Sequence, residues 1–187
     1  MSTGILIAVI AAMVLIAVAG GAWIMVRRRQ HLRERFGPEY ERTVEAGDSR
    51  MAAERELRAR EQRHDDLDLK SLPAPTRQQY AQDWTSVQER FVDRPEEAVG
   101  EADRLVTRLM RERGYPTDGY EQQLKDLSVA HGRTLEHYRA AHDVNTRAGS
   151  NKATTEELRG AMVHYRALFD DLLTNGDRPS ARPGRAS

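Results

Sequence analysis

The chain has 187 residues, with 29 Lys+Arg balanced by 29 Asp+Glu, and it contains no cysteine. Zero net charge removes any global pull toward nucleic acid, and the missing thiol removes disulfides, thiol catalysis and cysteine metal sites. Lysine occurs only at Lys70, Lys125 and Lys152, so arginine supplies the rest of the positive charge.

Residues 1–4 form a short flank without Lys or Arg. The uncharged apolar run Ile5–Val26 follows and ends abruptly at Arg27-Arg28-Arg29. As a helix rising ~1.5 Å per residue, this run spans ~33 Å, enough to cross the hydrocarbon core of a bilayer. Backbone polar groups in lipid need internal partners, so a lone spanning segment is helical. Trp23 stands near the cationic end, where an indole suits the headgroup boundary. Arg27, Arg28, Arg29, Arg33 and Arg35 all lie on one flank. Positive flanks stay in the cytoplasm, which predicts an outside N-terminus and a cytoplasmic remainder at the cell membrane. The same arginines attract anionic headgroups at about 1 kcal/mol each. A cleaved signal peptide is the alternative, since Ala17-Val18-Ala19 has the small residues of a cleavage site and the product would be secreted. The uncharged first residues and the arginines just downstream argue against it.

Residues 27–72 are highly charged and read as a juxtamembrane helical stalk. Gly37 suits a helix end and Pro38 the first turn of the next helix. Asp48 is a candidate cap for a helix from Arg50 to about Asp66. In that helix Met51 and Leu57 are nearly the only large apolar residues, so the spacing predicts a stalk or weak coiled coil with a thin core face. Leu72-Pro73-Ala74-Pro75 marks a boundary.

Residues 73–173 carry the periodicity of a small helical bundle, and no segment alternates like a strand. Thr76 with Gln79, Asp93 with Glu96, Asp118 with Glu121 and Thr154 with Glu157 resemble helix starts with capping boxes. The predicted inward faces are Tyr80, Trp84, Val87 and Phe91, then Val99, Ala102, Leu105, Val106, Leu109 and Met110. Tyr120, Leu124 and Leu127 follow, then Leu135, Tyr138 and Ala141. The last helix offers Leu158, Ala161, Met162, Tyr165, Leu168, Phe169 and Leu172. Arg113-Gly114 closes one helix, and Tyr115-Pro116 prevents continuation. Residues 174–187 have the composition of a disordered tail, whose Arg178, Arg182 and Arg185 are either solvated or in touch with the membrane. The whole chain therefore reads as all-α: a transmembrane helix, a charged stalk and a bundle.

No catalytic constellation stands out. His31, His64, His131, His137, His142 and His164 match no metal-ligand spacing, so no metal or other cofactor is expected. Ser128 lies close to His131 but without a nucleophile elbow, and capping or turn use explains it better than chemistry does. No small-molecule substrate is indicated. The aromatic residues read as core in preference to a ligand groove. The exception is Tyr115, which stands in a predicted loop and is the candidate partner contact. His137-Tyr138-Arg139-Ala140 recurs as His164-Tyr165-Arg166-Ala167. Two amphipathic helices arrive at this by coincidence, or a helix hairpin was duplicated.

Several blocks carry a family resemblance: Phe36–Tyr40 (FGPEY), Trp84–Pro116, Asp126–His131, Tyr138–His142 and Ala161–Leu173. Together they make the chain similar to uncharacterised bacterial, actinobacterial-type single-pass membrane-anchored helical proteins, often labelled hypothetical or secreted. The resemblance implies one helical module behind an anchor and brings no catalytic residue. The expected function is protein–protein interaction at the membrane, not enzymatic, with no nucleic-acid partner. The alternatives are a self-associating membrane-tethered stalk and a ligand-binding or hydrolytic domain.

Overall fold

The computed structural model describes residues 3–150 and 152–174, with side chains from residue 9 onward. Met1, Ser2, Asn151 and the tail beyond Thr174, with Arg178, Arg182 and Arg185, lie outside the described residues, as does the expectation of a disordered tail. Every regular element among the described residues is an α-helix. They are α1 (Thr3–Phe36), α2 (Pro38–Ala46), α3 (Arg50–Asp65), α4 (Ala74–Asp93), α5 (Pro95–Glu112), α6 (Tyr120–His131), α7 (Leu135–Ala148) and α8 (Thr155–Thr174). The chain divides into two compact units, Met1–Arg58 and Ala59–Ser187. The division precedes the proline pair that the sequence suggests as a boundary.

In the Met1–Arg58 unit, α1 continues without a break from the apolar run through the arginines to Phe36. Its Val9–Phe36 portion holds an 18-residue window of mean hydropathy 2.5, is long and apolar enough to cross a membrane, and none of that window is buried in the protein. A signal sequence meets the same description. Gly37, with φ 55°, turns the chain, and Pro38 opens α2 with its fixed φ. Ser49, one residue beyond the expected Asp48, caps α3 by accepting a hydrogen bond from the Ala52 amide at 3.2 Å. The charged segment is helical, as its composition suggests, yet it is not featureless. Ala53 and Leu57 are buried, as are Leu32, Phe36 and Tyr40, while Met51 is exposed.

In the Ala59–Ser187 unit, α5 is the central helix. Ala98, Val99, Ala102, Leu105, Val106, Leu109 and Met110 have no exposed surface. A face this wide needs cover from several neighbours, and α4, α8 and α7 supply it. Each large aliphatic side chain so buried contributes about 1.5–3 kcal/mol. Trp84 of α4 stacks on Phe169 of α8 with centroids 4.8 Å apart, closing the bundle across α5. Leu72 joins the same core, with Leu67 and Leu69 packed at its edge.

Only one expected capping box forms. The Thr154 amide donates to Glu157 Oε2 at 2.8 Å, and the Glu157 amide returns to Thr154 Oγ1 at 3.3 Å. The Thr154 backbone, the Arg147 guanidinium and the Thr154 hydroxyl together hold the Glu157 carboxyl down at about 2. The other three pairs are not used. Helices α4 and α5 begin at proline-containing first turns and α6 begins after Gly119, none with a side-chain cap. A proline at N1 needs no amide partner, so it displaces the cap that the polar residues offered.

The end of α5 is a Schellman motif. The Tyr115 amide bonds Met110 O at 3.0 Å and the Gly114 amide bonds Arg111 O at 3.0 Å. Gly114 has φ 93°, and a Cβ there would strike the Asp68 carbonyl. Gly119 has a similar φ of 89° with open space around it. Gly114→Ala should therefore cost more than Gly119→Ala. The latter should lose about 1–3 kcal/mol from backbone strain alone. Denaturant unfolding of the two variants in detergent checks this, and equal losses would refute the Asp68 contact.

Candidate functional site

The arginines at the C-terminal end of α1, in the Met1–Arg58 unit, are not equivalent. Arg27 lies over the Trp23 ring at 4.5 Å. Arg29 Nε donates to Glu54 Oε1 at 2.9 Å, and the Tyr40 hydroxyl donates to the same oxygen at 2.9 Å. Burial and the Glu54 hydrogen bond raise the Tyr40 pKa, keeping it a donor. Arg33 pairs with Glu41 at 3.0 Å and lies 5.2 Å over the Tyr40 ring. Arg29 and Arg33 thus also hold α2 and α3 to the end of α1. Arg28 and Arg35 complete the positive cluster on the same helix.

Tyr115 is not the exposed contact its loop position predicts, because it is only 3% exposed. The Schellman motif explains this: the residue after the glycine folds back over the last helical turn. The signal was readable as an apolar residue directly after a helix-ending glycine. The Tyr115 hydroxyl meets His131 Nε2 at 3.2 Å, and His131 Nδ1 meets Asp171 Oδ2 at 2.8 Å. Thr134 Oγ1 donates to that same Asp171 oxygen at 2.9 Å. A carboxylate only accepts, so His131 carries a hydrogen on Nδ1 and turns Nε2 toward the phenol. Burial pushes the phenol up to about 12, so it stays protonated. Ser128 takes no part, since its hydroxyl donates to Lys125 O at 2.6 Å. The chain resembles a relay in composition, but its donors and acceptors satisfy one another inside the core.

The two His-Tyr-Arg-Ala segments face each other across α7 and α8. Tyr138 and Tyr165 meet edge to face at 6.2 Å, and His137 stacks on His164 at 5.0 Å. Tyr138 donates to Gln123 Oε1 at 3.1 Å, and Tyr165 donates to Asp103 Oδ1 at 2.8 Å. Burial is the first cause of the strong upward shift at both phenols, with the Asp103 charge adding to it. His142, stacked on Tyr120 at 3.9 Å, sits 3.3 Å from the same Asp103 oxygen. Sequence reasoning noticed the repeat but had no means of seeing that its halves touch.

A groove of about 710 Å³ runs between α4 and α5, lined by Asp83, Ser86, Val87 and Arg90 from α4 and by Glu101, Asp103, Arg104, Thr107, Arg108 and Arg111 from α5. Its carboxylates are engaged: Asp83 accepts from Gln79, Glu101 from Arg90, and Asp103 from Tyr165. Arg111 reaches only the Thr117 hydroxyl. Arg104 and Arg108 are exposed, and no carboxylate among the described residues lies within ion-pair distance of either. Arg104, Arg108 and Arg111 form an i, i+4, i+7 stripe opposite the buried face of α5. Sequence reasoning missed this stripe because Glu101 and Glu112 stand at pairing distance from Arg104 and Arg108 on a helix. Arg90, from the facing helix, takes Glu101 instead.

Among the described residues no group of three or more His, Asp or Glu gathers as a metal centre. No protein-family model, curated protein or solved structure matches the chain.

Proposed function

We propose that this chain is a single-pass protein of the bacterial cell membrane whose helical unit works in the cytoplasm as a docking module for an acidic segment of a partner protein. The observation that carries the reading is the α4–α5 groove, where Arg104 and Arg108 lack counter-charges while the groove's own carboxylates are engaged. A bound carboxylate supplies what these guanidinium groups lack, through the charge-assisted, bidentate pairing arginine favours. The module acts by binding and not by turnover, since both histidine–carboxylate pairs of the bundle are closed by their own neighbours.

Retention of the apolar helix is favoured over cleavage near Ala19. Helix α1 continues to Phe36, and Arg29 and Arg33 tie its end to Glu54 and Glu41. The arginines on one flank only argue for an outside N-terminus. The resemblance to anchored bacterial helical proteins agrees with this arrangement.

Two measurements test the reading. A C-terminal reporter active only in the cytoplasm should be active in cells, and an inactive one would reverse the orientation. A photo-crosslinking residue in place of Ser86 should capture a protein through an Asp/Glu-rich peptide, with loss of the adduct in the Arg104→Glu/Arg108→Glu chain. The same probe at Val163, exposed on α8, should capture nothing in common. Adducts indifferent to charge reversal, or formed with a second copy of this chain, would contradict docking and favour self-association.

A further inference from the structure

Two imidazoles from different helices are delivered to one point on the surface of the Ala59–Ser187 unit. His137 of α7 and His164 of α8 hold their Nδ1 atoms 2.9 Å apart, with ring planes 25° from parallel. The neighbours in sequence explain why the meeting is well determined. Tyr138 and Tyr165 are buried against each other and anchored by Gln123 and Asp103, so the register of the two helices is locked. Each histidine stands one residue before a locked tyrosine and is carried outward beside its counterpart. Gly160, one helical turn before His164, leaves open space where a Cβ would stand.

The separation has a chemical meaning. Two imidazole nitrogens at about 2.0–2.1 Å from one ion lie about 2.9 Å apart when the angle at the ion is a right angle, and about 3.3 Å apart when it is tetrahedral. The observed spacing is that of a hydrogen bond and lies near both values, so the two nitrogens can reach one ion with little movement. We propose that His137 and His164 form a bidentate site for a divalent late first-row ion of tetragonal preference, Cu²⁺ ahead of Ni²⁺, with water in the remaining positions. Tetragonal nitrogen–oxygen coordination and the order of divalent affinities both favour Cu²⁺. Without metal, one ring donates its Nδ1 hydrogen to the other. Binding needs both lone pairs, so the donating ring moves that proton to its own Nε2 and both imidazoles remain neutral. The second nitrogen then binds intramolecularly, which is the source of affinity beyond that of a single histidine.

The test is Cu²⁺ titration of the full chain in detergent, read by calorimetry and by electron paramagnetic resonance. One ion per chain with two equatorial imidazole nitrogens is expected. His137→Asn and His164→Asn should each reduce the signature to one nitrogen and weaken binding at least about tenfold. His31→Asn, in the other unit, should change neither. Survival of the two-nitrogen signature in the double variant would overturn the site. So would its restoration on mixing the two single variants, which would place it between copies. In the unmodified protein, Cu²⁺ should broaden the Tyr138 and Tyr165 resonances first, and broadening centred elsewhere would overturn the assignment without any variant.

Discussion

Helix α5 sets the terms for the rest of the Ala59–Ser187 unit. Seven of its residues, from Ala98 to Met110, have no contact with solvent, and a stripe so wide leaves only one side of the helix free. Helix α4 covers one flank and α8 with α7 the other. The remaining side must stay solvated, and it is there that Arg104, Arg108 and Arg111 stand. The arginine-lined groove is thus a consequence of packing: the helix that organises the core has nowhere else to put its charges.

Several of the polar groups that the packing traps are paired, although Trp84 Nε1, Glu101 Oε2, Arg113 Nε and Asp126 Oδ2 are buried without a hydrogen-bond partner. Asp126, nearly fully buried, receives Arg63 Nε at 2.9 Å and Gln122 Nε2 at 2.9 Å. Arg113, also buried, donates to Leu172 O at 2.6 Å and so satisfies a carbonyl at the C-terminal end of α8. His131 bridges Tyr115 and Asp171. These bonds are costly to leave unmade, which makes them constraints on which helix ends meet. Such networks resemble catalytic relays in their residue types. In the Tyr115–His131–Asp171 chain each ring nitrogen already has a partner inside the protein, whereas Arg113 Nε is buried without one.

Much of this was legible from periodicity. Every residue expected on the inward faces of α5 and α8 is buried, because a single apolar stripe at helical spacing has only one way to hide. The Gly37-Pro38 break and the Thr154–Glu157 box were legible for the same local reason. The other three boxes failed because prolines at the first turns of α4 and α5, and Gly119 before α6, decide those starts without a side-chain cap. Tyr115 was misplaced because Gly114 was read only as a helix end and not as the turn that folds the next residue back over α5. The groove and the His137–His164 contact depend on which helices become neighbours, and one sequence does not state that. Arg104 has Glu101 within helical pairing reach, and only the fold shows that Arg90 of α4 takes this carboxylate instead.

The account rests on α5 being the element that the others cover. Native-state hydrogen exchange of the full chain in lipid nanodiscs tests that most directly. Amides of α5 between Val99 and Leu109 should exchange only through the unfolding of the whole Ala59–Ser187 unit and be the slowest of that unit. Amides of α4 should open at lower cost, since Tyr80 and Phe91 lie only part-buried at the edge of the core. Exchange of α5 as fast as that of the charged helix α3, or slower exchange in α4 than in α5, would contradict it.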